Sequence, residues 1–294
     1  MLLTHSRCML KPKRRWFVVT AATNTLIFPS NTVVAAFHDL LPCPTDWKVP
    51  THSFGDKLKE IGISKIFFLR HGQTGKSDTG DFDRILTDKG REQARVAGSS
   101  FGKDTLMPIF PKVLVSPAPR TVETARLFLQ AATAAADDDD DTAECNESSP
   151  FDLVPVQDLY DKTMQPDGSK LFAKIGYAPL LDYLEASDDY DRGVARDLLG
   201  KYATVAVDAV YNEVLDKKNE NVSSRQTTSI GPCTLLVVAH AIYLPAATLG
   251  LASVVGCNSS SDLQIPLSMN TQEAEGYLID LSSRTLAYIS RPTT

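Results

Sequence analysis

The sequence lacks most features that would place it at once in a functional class. It has five cysteines in 294 residues: Cys8, Cys43, Cys145, Cys233 and Cys257. They are odd in number, scattered and without a Cys-x-x-Cys pair. Neither a disulfide framework nor a zinc site is indicated, and they read as isolated thiols. It has no basic excess, since the net charge is −6 and the pI about 5.4. That argues against a nucleic-acid-binding face, although a local basic cleft remains compatible with it. There is no internal repeat. No apolar run is long enough to span a bilayer comfortably. The candidate, "WFVVTAATNTLIF", is short, interrupted by Asn24 and followed by Pro29 and Asn31. What is left is the composition of an ordinary globular protein. Its length suffices for one α/β domain with additions or for two small domains.

The first fifty residues differ from the rest. Arg7, Lys11, Lys13, Arg14 and Arg15 precede the apolar stretch, and Val34-Ala35-Ala36 stands before Phe37. Charged region, short apolar core and small residues at a cut follow the layout of a secretory-type signal. The Ala-Ala-Phe site resembles bipartite plastid presequences. Residues 1–53 are therefore expected to be an N-terminal extension that acts as a targeting presequence, with plastid or secretory routing. The alternative is a cytoplasmic chain with a disordered or surface-packed extension. Asn146, Asn221 and Asn258 open Asn-x-Ser/Thr triplets, which would matter only on a secretory route. No stable membrane span is expected in the mature chain.

From about Ile63 short apolar runs alternate with amphipathic ones. "KIFFL" (65–69), "KVLV" (112–115), "LVPV" (153–156) and "TLLVVA" (234–239) read as strands buried on both faces. Helical spacing marks residues 88–101, 121–134, 169–186 and 192–217. This alternation predicts a three-layer α/β/α sandwich with a mainly parallel sheet. "EGYLIDLSS" and "TLAYIS" predict a closing hairpin that adds an antiparallel edge. The expected catalytic domain covers 54–294. It carries an acidic loop over 137–150, which includes a self-repelling run of five Asp, and a polar, disordered loop over 217–232.

In an open parallel sheet, ligands bind beyond the carboxyl ends of the strands. The residues just past the four expected strands are Arg70, His71, Gly72 and Thr74; Arg120; Asp158 and Asp161; and His240. Two arginines, two histidines and an acid on one rim suit a phosphoryl group. Guanidinium forks match its oxygens. A neutral imidazole can attack phosphorus and split one hard step into two easier ones. A carboxylic acid can protonate the leaving oxygen and then deprotonate water.

Arg70-His71-Gly72 at a strand end resembles the signature of the histidine phosphatase superfamily, also called phosphoglycerate-mutase-like. "DFDRILTDKGREQA" (81–94), "VLVSPAPRTVETA" (113–125), "QDLYD" (157–161) and "LLVVAH" (235–240) resemble further segments of that family, in the same order. The resemblance covers roughly residues 63 to 290. The compact "RILTDKG" and "SPAPRT" spacings look nearest to the phosphohistidine-phosphatase, SixA-type branch. The resemblance implies His71 as the phosphorylated nucleophile, with Arg70, Arg120, His240 and Thr74 around the phosphate. It implies Asp158 as the proton donor, ahead of Asp161 and then Asp88. It also implies no metal and no organic cofactor. The substrate would be a phosphorylated small molecule or a phosphoprotein, with no nucleic acid involved. The rival readings are a mutase that retains its phosphohistidine and a non-catalytic phospho-ligand binder. Many family members place a small polar residue after the second histidine; here Ala241-Ile242-Tyr243 follows, which favours a narrower pocket or an apolar substrate part. Gly72 is expected to let the backbone turn close to the phosphate.

Overall fold

The computed structural model describes residues 18–19, 53–105, 108–136, 151–160, 165–186, 188–216, 232–257 and 259–292. The rest of the expected presequence, the acidic run, residues 217–231, Asp161, Cys8, Cys43, Cys145 and the three triplet asparagines lie outside them. In chain order the elements are β1 (Val18–Val19), α1 (Phe54–Glu60), β2 (Ile63–Arg70), α2 (Asp88–Thr105), β3 (Lys112–Val115), α3 (Pro119–Ala136) and β4 (Asp152–Pro155). A 3-10 turn (Gln157–Tyr160), α4 (Gln165–Ile175), α5 (Leu180–Leu184) and α6 (Asp189–Val210) follow. Beyond them come β5 (Cys233–Ala239), α7 (Tyr243–Val255), α8 (Ser260–Ser268), β6 (Gly276–Asp280) and β7 (Thr285–Ile289).

The strands form one mixed sheet in the order β1-β7-β6-β2-β5-β3-β4. The half that runs β2-β5-β3-β4 is parallel. The closing hairpin extends it antiparallel from β2. Val18 and Val19, inside the stretch read as a leader, pair antiparallel with β7. The antiparallel edge is thus the hairpin plus this short strand.

Alternation along β2 sends side chains to two separate cores. Phe67 and Leu69 face α2 and α3, together with Phe101, Phe128, Val113 and Val238. Ile66 and Phe68 face the other layer, with Leu199, Tyr202 and Leu244 from α6 and α7. Every residue of β5 is buried, as its uninterrupted apolar run requires in a strand covered on both faces. The outcome is the expected α/β/α sandwich.

The helical stretch expected over 169–186 is two helices. Gly176, at φ +81°, ends α4 in the left-handed conformation that glycine adopts without strain. Pro179 then stands just before α5. Cys233 and Cys257 are unpaired and buried, and burial pushes their thiols up to about 11 and about 12. No described helix is long and apolar enough to cross a membrane.

Phe67 is fully buried and stacks on Phe101 at 5.2 Å between ring centres, with Phe128 at 5.9 Å. Replacing Phe67 by Ala should lower the unfolding free energy by about 3–5 kcal/mol. Urea denaturation checks this, and a loss under about 1 kcal/mol would mean that the site collapses around the cavity.

Candidate active site

The parallel register brings the candidate residues together. Arg70 pairs with Ala239 across β2 and β5, so the residues that follow, His71 and His240, sit side by side beyond the strand ends. Their rings are 5.2 Å apart at 63°. Val115 pairs with Val238, which places Ser116 and the start of α3, with Arg120, on the other flank of His240.

The strand tip is fixed by the first turns of two helices. Thr87 Oγ1 accepts from Gly90 N at 3.0 Å and so caps α2. Gln93 of α2 accepts from Gln73 N at 2.8 Å, and Thr124 of α3 accepts from Gly72 N at 3.1 Å. A Cβ on Gly72 would stand 2.3 Å from Gly90 O, and one on Gly90 would stand 2.1 Å from Gln73 O. The expected reason for Gly72 therefore changes. Its missing side chain makes room for the backbone of α2.

His71 is 8 % exposed. Its Nδ1 lies 2.8 Å from Gly72 O. A carbonyl only accepts, so Nδ1 carries the proton and Nε2 of the neutral ring keeps its lone pair. Burial, then the Arg120 and Arg70 charges, push the His71 pKa down to about 3. His240 is pushed well below the ordinary value by burial, then by His71 and Arg120. Arg120 Nη2 stands 3.3 Å from His240 Nδ1, which must accept, so Nε2–H donates to Ser116 Oγ at 2.7 Å.

Arg70 donates to Thr271 O at 2.6 Å, lies 3.7 Å from Glu273 and stacks 4.6 Å over the Tyr177 ring. Arg120, 3 % exposed, donates to Asp81 Oδ2 at 2.7 Å. The Nε of each arginine is buried without a hydrogen-bond partner. Both arginines line a cavity of about 280 Å³ with His71, His240, Thr74, Gln73, Asp81, Arg84, Tyr160, Glu273 and the rim residues Phe172 and Tyr177. Among the described residues no group of three or more His, Cys, Asp or Glu is placed to hold a metal ion.

Five of the six expected site residues, Arg70, His71, Thr74, Arg120 and His240, meet in this cavity. Asp158 does not. The 3-10 turn buries Leu159 and Tyr160 and leaves Asp158 exposed. Asp88 points to solvent and pairs with Arg91. Among the described residues the carboxylate nearest Arg120 is Asp81, which the sequence reading left without a role. Its signal was its place between the strand tip and the α2 cap, three residues before Arg84. Asp81 accepts from Tyr160 OH at 3.1 Å and from Arg84 at 3.2 Å. Burial raises its pKa, but Arg120, Arg84 and Tyr160 outweigh this and hold it below the usual value.

A profile of the histidine phosphatase superfamily, branch 1, matches residues 66–149. The matched stretch holds Arg70, His71 and Arg120 and ends before His240. Over that stretch the chain is similar to the superfamily. Solved structures with similar coordinates include the phosphoglycerate mutase of Bacillus anthracis str. Sterne, 15 % identical, covering 80 % of this chain and 95 % of that one, with TM-score 0.43. The SixA protein of Agrobacterium tumefaciens is 14 % identical over 79 % and 98 % of the two chains, with TM-score 0.37. A phosphoserine phosphatase of Entamoeba histolytica, solved with 3-phosphoglyceric acid, is 16 % identical over 78 % and 97 %, with TM-score 0.42. No protein of curated function matches the sequence significantly.

Both buried histidines titrate near pH 6.5 when unfolded and far lower when folded. Between those values the unfolded chain binds protons that the folded chain does not. Stability should be greatest above about pH 6.5 and decline as pH falls toward about 3. His71→Gln should make that decline shallower in urea titrations run from pH 7 downward. An unchanged slope would assign the acid lability to other groups.

Proposed function

We propose that the protein is a phosphatase that hydrolyses a phosphomonoester or a phosphohistidine through a covalent phosphohistidine on His71. The observation that carries this reading is the His71 tautomer. Nδ1 is committed to Gly72 O, so the lone pair on Nε2 is available to phosphorus at neutral pH. The two arginines support it. A buried donor without a partner costs about 1–3 kcal/mol; Arg70 and Arg120 both line the cavity, and the Nε of each is such a donor. A phosphoryl group offers acceptors to the two guanidinium groups, and its charge in the transition state meets a preformed cationic wall.

In the first step the Nε2 lone pair forms a bond to phosphorus as the bond to the leaving oxygen breaks. Water then attacks phosphorus, and the P–N electron pair returns to the ring. The apolar side of the cavity, with Ile242, Tyr243 and the half-exposed Phe172 and Tyr177, supports a substrate with an apolar or aromatic portion. The compact loop before α2 keeps the SixA-type branch as the nearest family reading.

Purified full-length protein should release phosphate from members of a panel of phosphomonoesters and a phosphohistidine peptide. His71→Ala should reduce this to background, and Arg120→Ala should lower it by roughly 10²–10³-fold. Labelled substrate should leave an acid-labile, alkali-stable phosphoryl group on the wild-type chain only. Equal, negligible release by wild type and His71→Ala would sink the hydrolase reading for that panel. Transfer of the label to a second metabolite would identify a mutase.

A further inference from the structure

Among the described residues that line the cavity, two are carboxylates, Asp81 and Glu273, and they are held differently. Glu273 stands 3.7 Å from Arg70. Asp81 sits in the fork of Arg120. Its Oδ2 is 2.7 Å from Nη2, and Nη1 donates to the carbonyls of Asp81 and Phe82. The same Oδ2 accepts from Tyr160 OH at 3.1 Å, while Oδ1 accepts from Arg84 at 3.2 Å. Carboxylate and phosphoryl oxygens make the same geometric demand on a guanidinium. Asp81 therefore occupies a position that a bound phosphoryl group needs.

This carboxylate is also free to leave. Its side chain is 45 % exposed. It follows Gly80, which has φ +126° and open space around its α-carbon. Movement of the loop would uncover Arg120 without disturbing the buried core.

Resting on the phosphatase reading, we propose that Asp81 is the proton-transfer residue of the reaction, seated on Arg120 in the empty site and displaced from it by the incoming phosphoryl group. Displacement removes the Arg120 attraction and sets Asp81 beside a dianion. Both changes favour its protonated form. As His71 Nε2 bonds to phosphorus and the ester P–O bond breaks, the Asp81 carboxyl gives its proton to the departing oxygen, which leaves as an alcohol. The Asp81 carboxylate then takes a proton from the attacking water as the P–N bond breaks. Hydrogen phosphate leaves, and the carboxyl is regenerated. The sum is ester plus water giving alcohol plus phosphate, with no other reactant.

The test compares Asp81→Asn with wild type on two esters, an alkyl phosphate and an aryl phosphate whose phenol is strongly acidic. On the alkyl ester kcat/KM should fall roughly 10²–10⁴-fold. On the aryl ester, whose leaving group needs no proton, the loss should stay below about tenfold. Glu273→Gln should change both esters by the same factor. Titration calorimetry with inorganic phosphate should show tighter binding to Asp81→Asn than to wild type, because the competing charge is gone. Equal losses on the two esters, or phosphate binding that is unchanged or weaker, would overturn the proposal. If wild type hydrolyses neither ester, the phosphatase reading fails for these two esters, and the phosphate titration alone then decides whether Asp81 holds the Arg120 position.

Discussion

Close contact between two glycines underlies the site. Gly72 at the tip of β2 and Gly90 in the first turn of α2 touch through their backbones, with no room for a Cβ on either. The contact holds the Gly72 carbonyl where His71 Nδ1 can donate to it. That hydrogen bond fixes which ring nitrogen keeps a lone pair. Thr87, Gln93 and Thr124 bind the Gln73 carbonyl, the Gln73 amide and the Gly72 amide of the tip. Segments that look like separate signatures in the sequence are thus parts of one mechanical joint. One supplies the strand end, one the α2 cap and one the start of α3.

The electrostatics follow from the same joint. Three arginines and two carboxylates line the cavity, while both histidines are kept neutral. An imidazole that stayed charged could not attack, and burial beside arginines prevents charging. The arginines in turn would be costly without anions nearby. In the empty site Asp81 and Glu273 supply that compensation. The lining of the pocket is therefore left with one net positive charge until a substrate brings its own.

Much of this was legible in the sequence because a parallel strand covered on both faces must be apolar throughout. The residues just past each run then become candidates, and Arg70, His71, Arg120 and His240 do line one cavity. Other features lacked such a signal. The break between α4 and α5 hangs on Gly176 and Pro179, which interrupt what otherwise scans as one amphipathic period. Helix α7 is buried almost all round, so it shows no polar stripe to read. Asp158 falls outside the cavity for a geometric reason. In a 3-10 turn neighbouring side chains diverge, so Tyr160 enters the cavity wall while Asp158, two residues earlier, meets solvent. Asp81 reaches the site through a loop, and loops carry no period.

The sheet order has a consequence for how the chain comes to exist at all. β2 is flanked by β5 and β6, and both begin far later in the sequence, at Cys233 and Gly276. During synthesis the apolar stretch Ile66–Leu69 leaves the ribosome with neither lateral partner yet made. An unpaired apolar strand of that kind is a template for wrong pairing, and closing such distant contacts is slow. His71 thus sits at the end of the segment most in need of protection while the protein is being born. A chain cut short before the closing hairpin would keep Arg70 and His71 yet leave one edge of their strand bare.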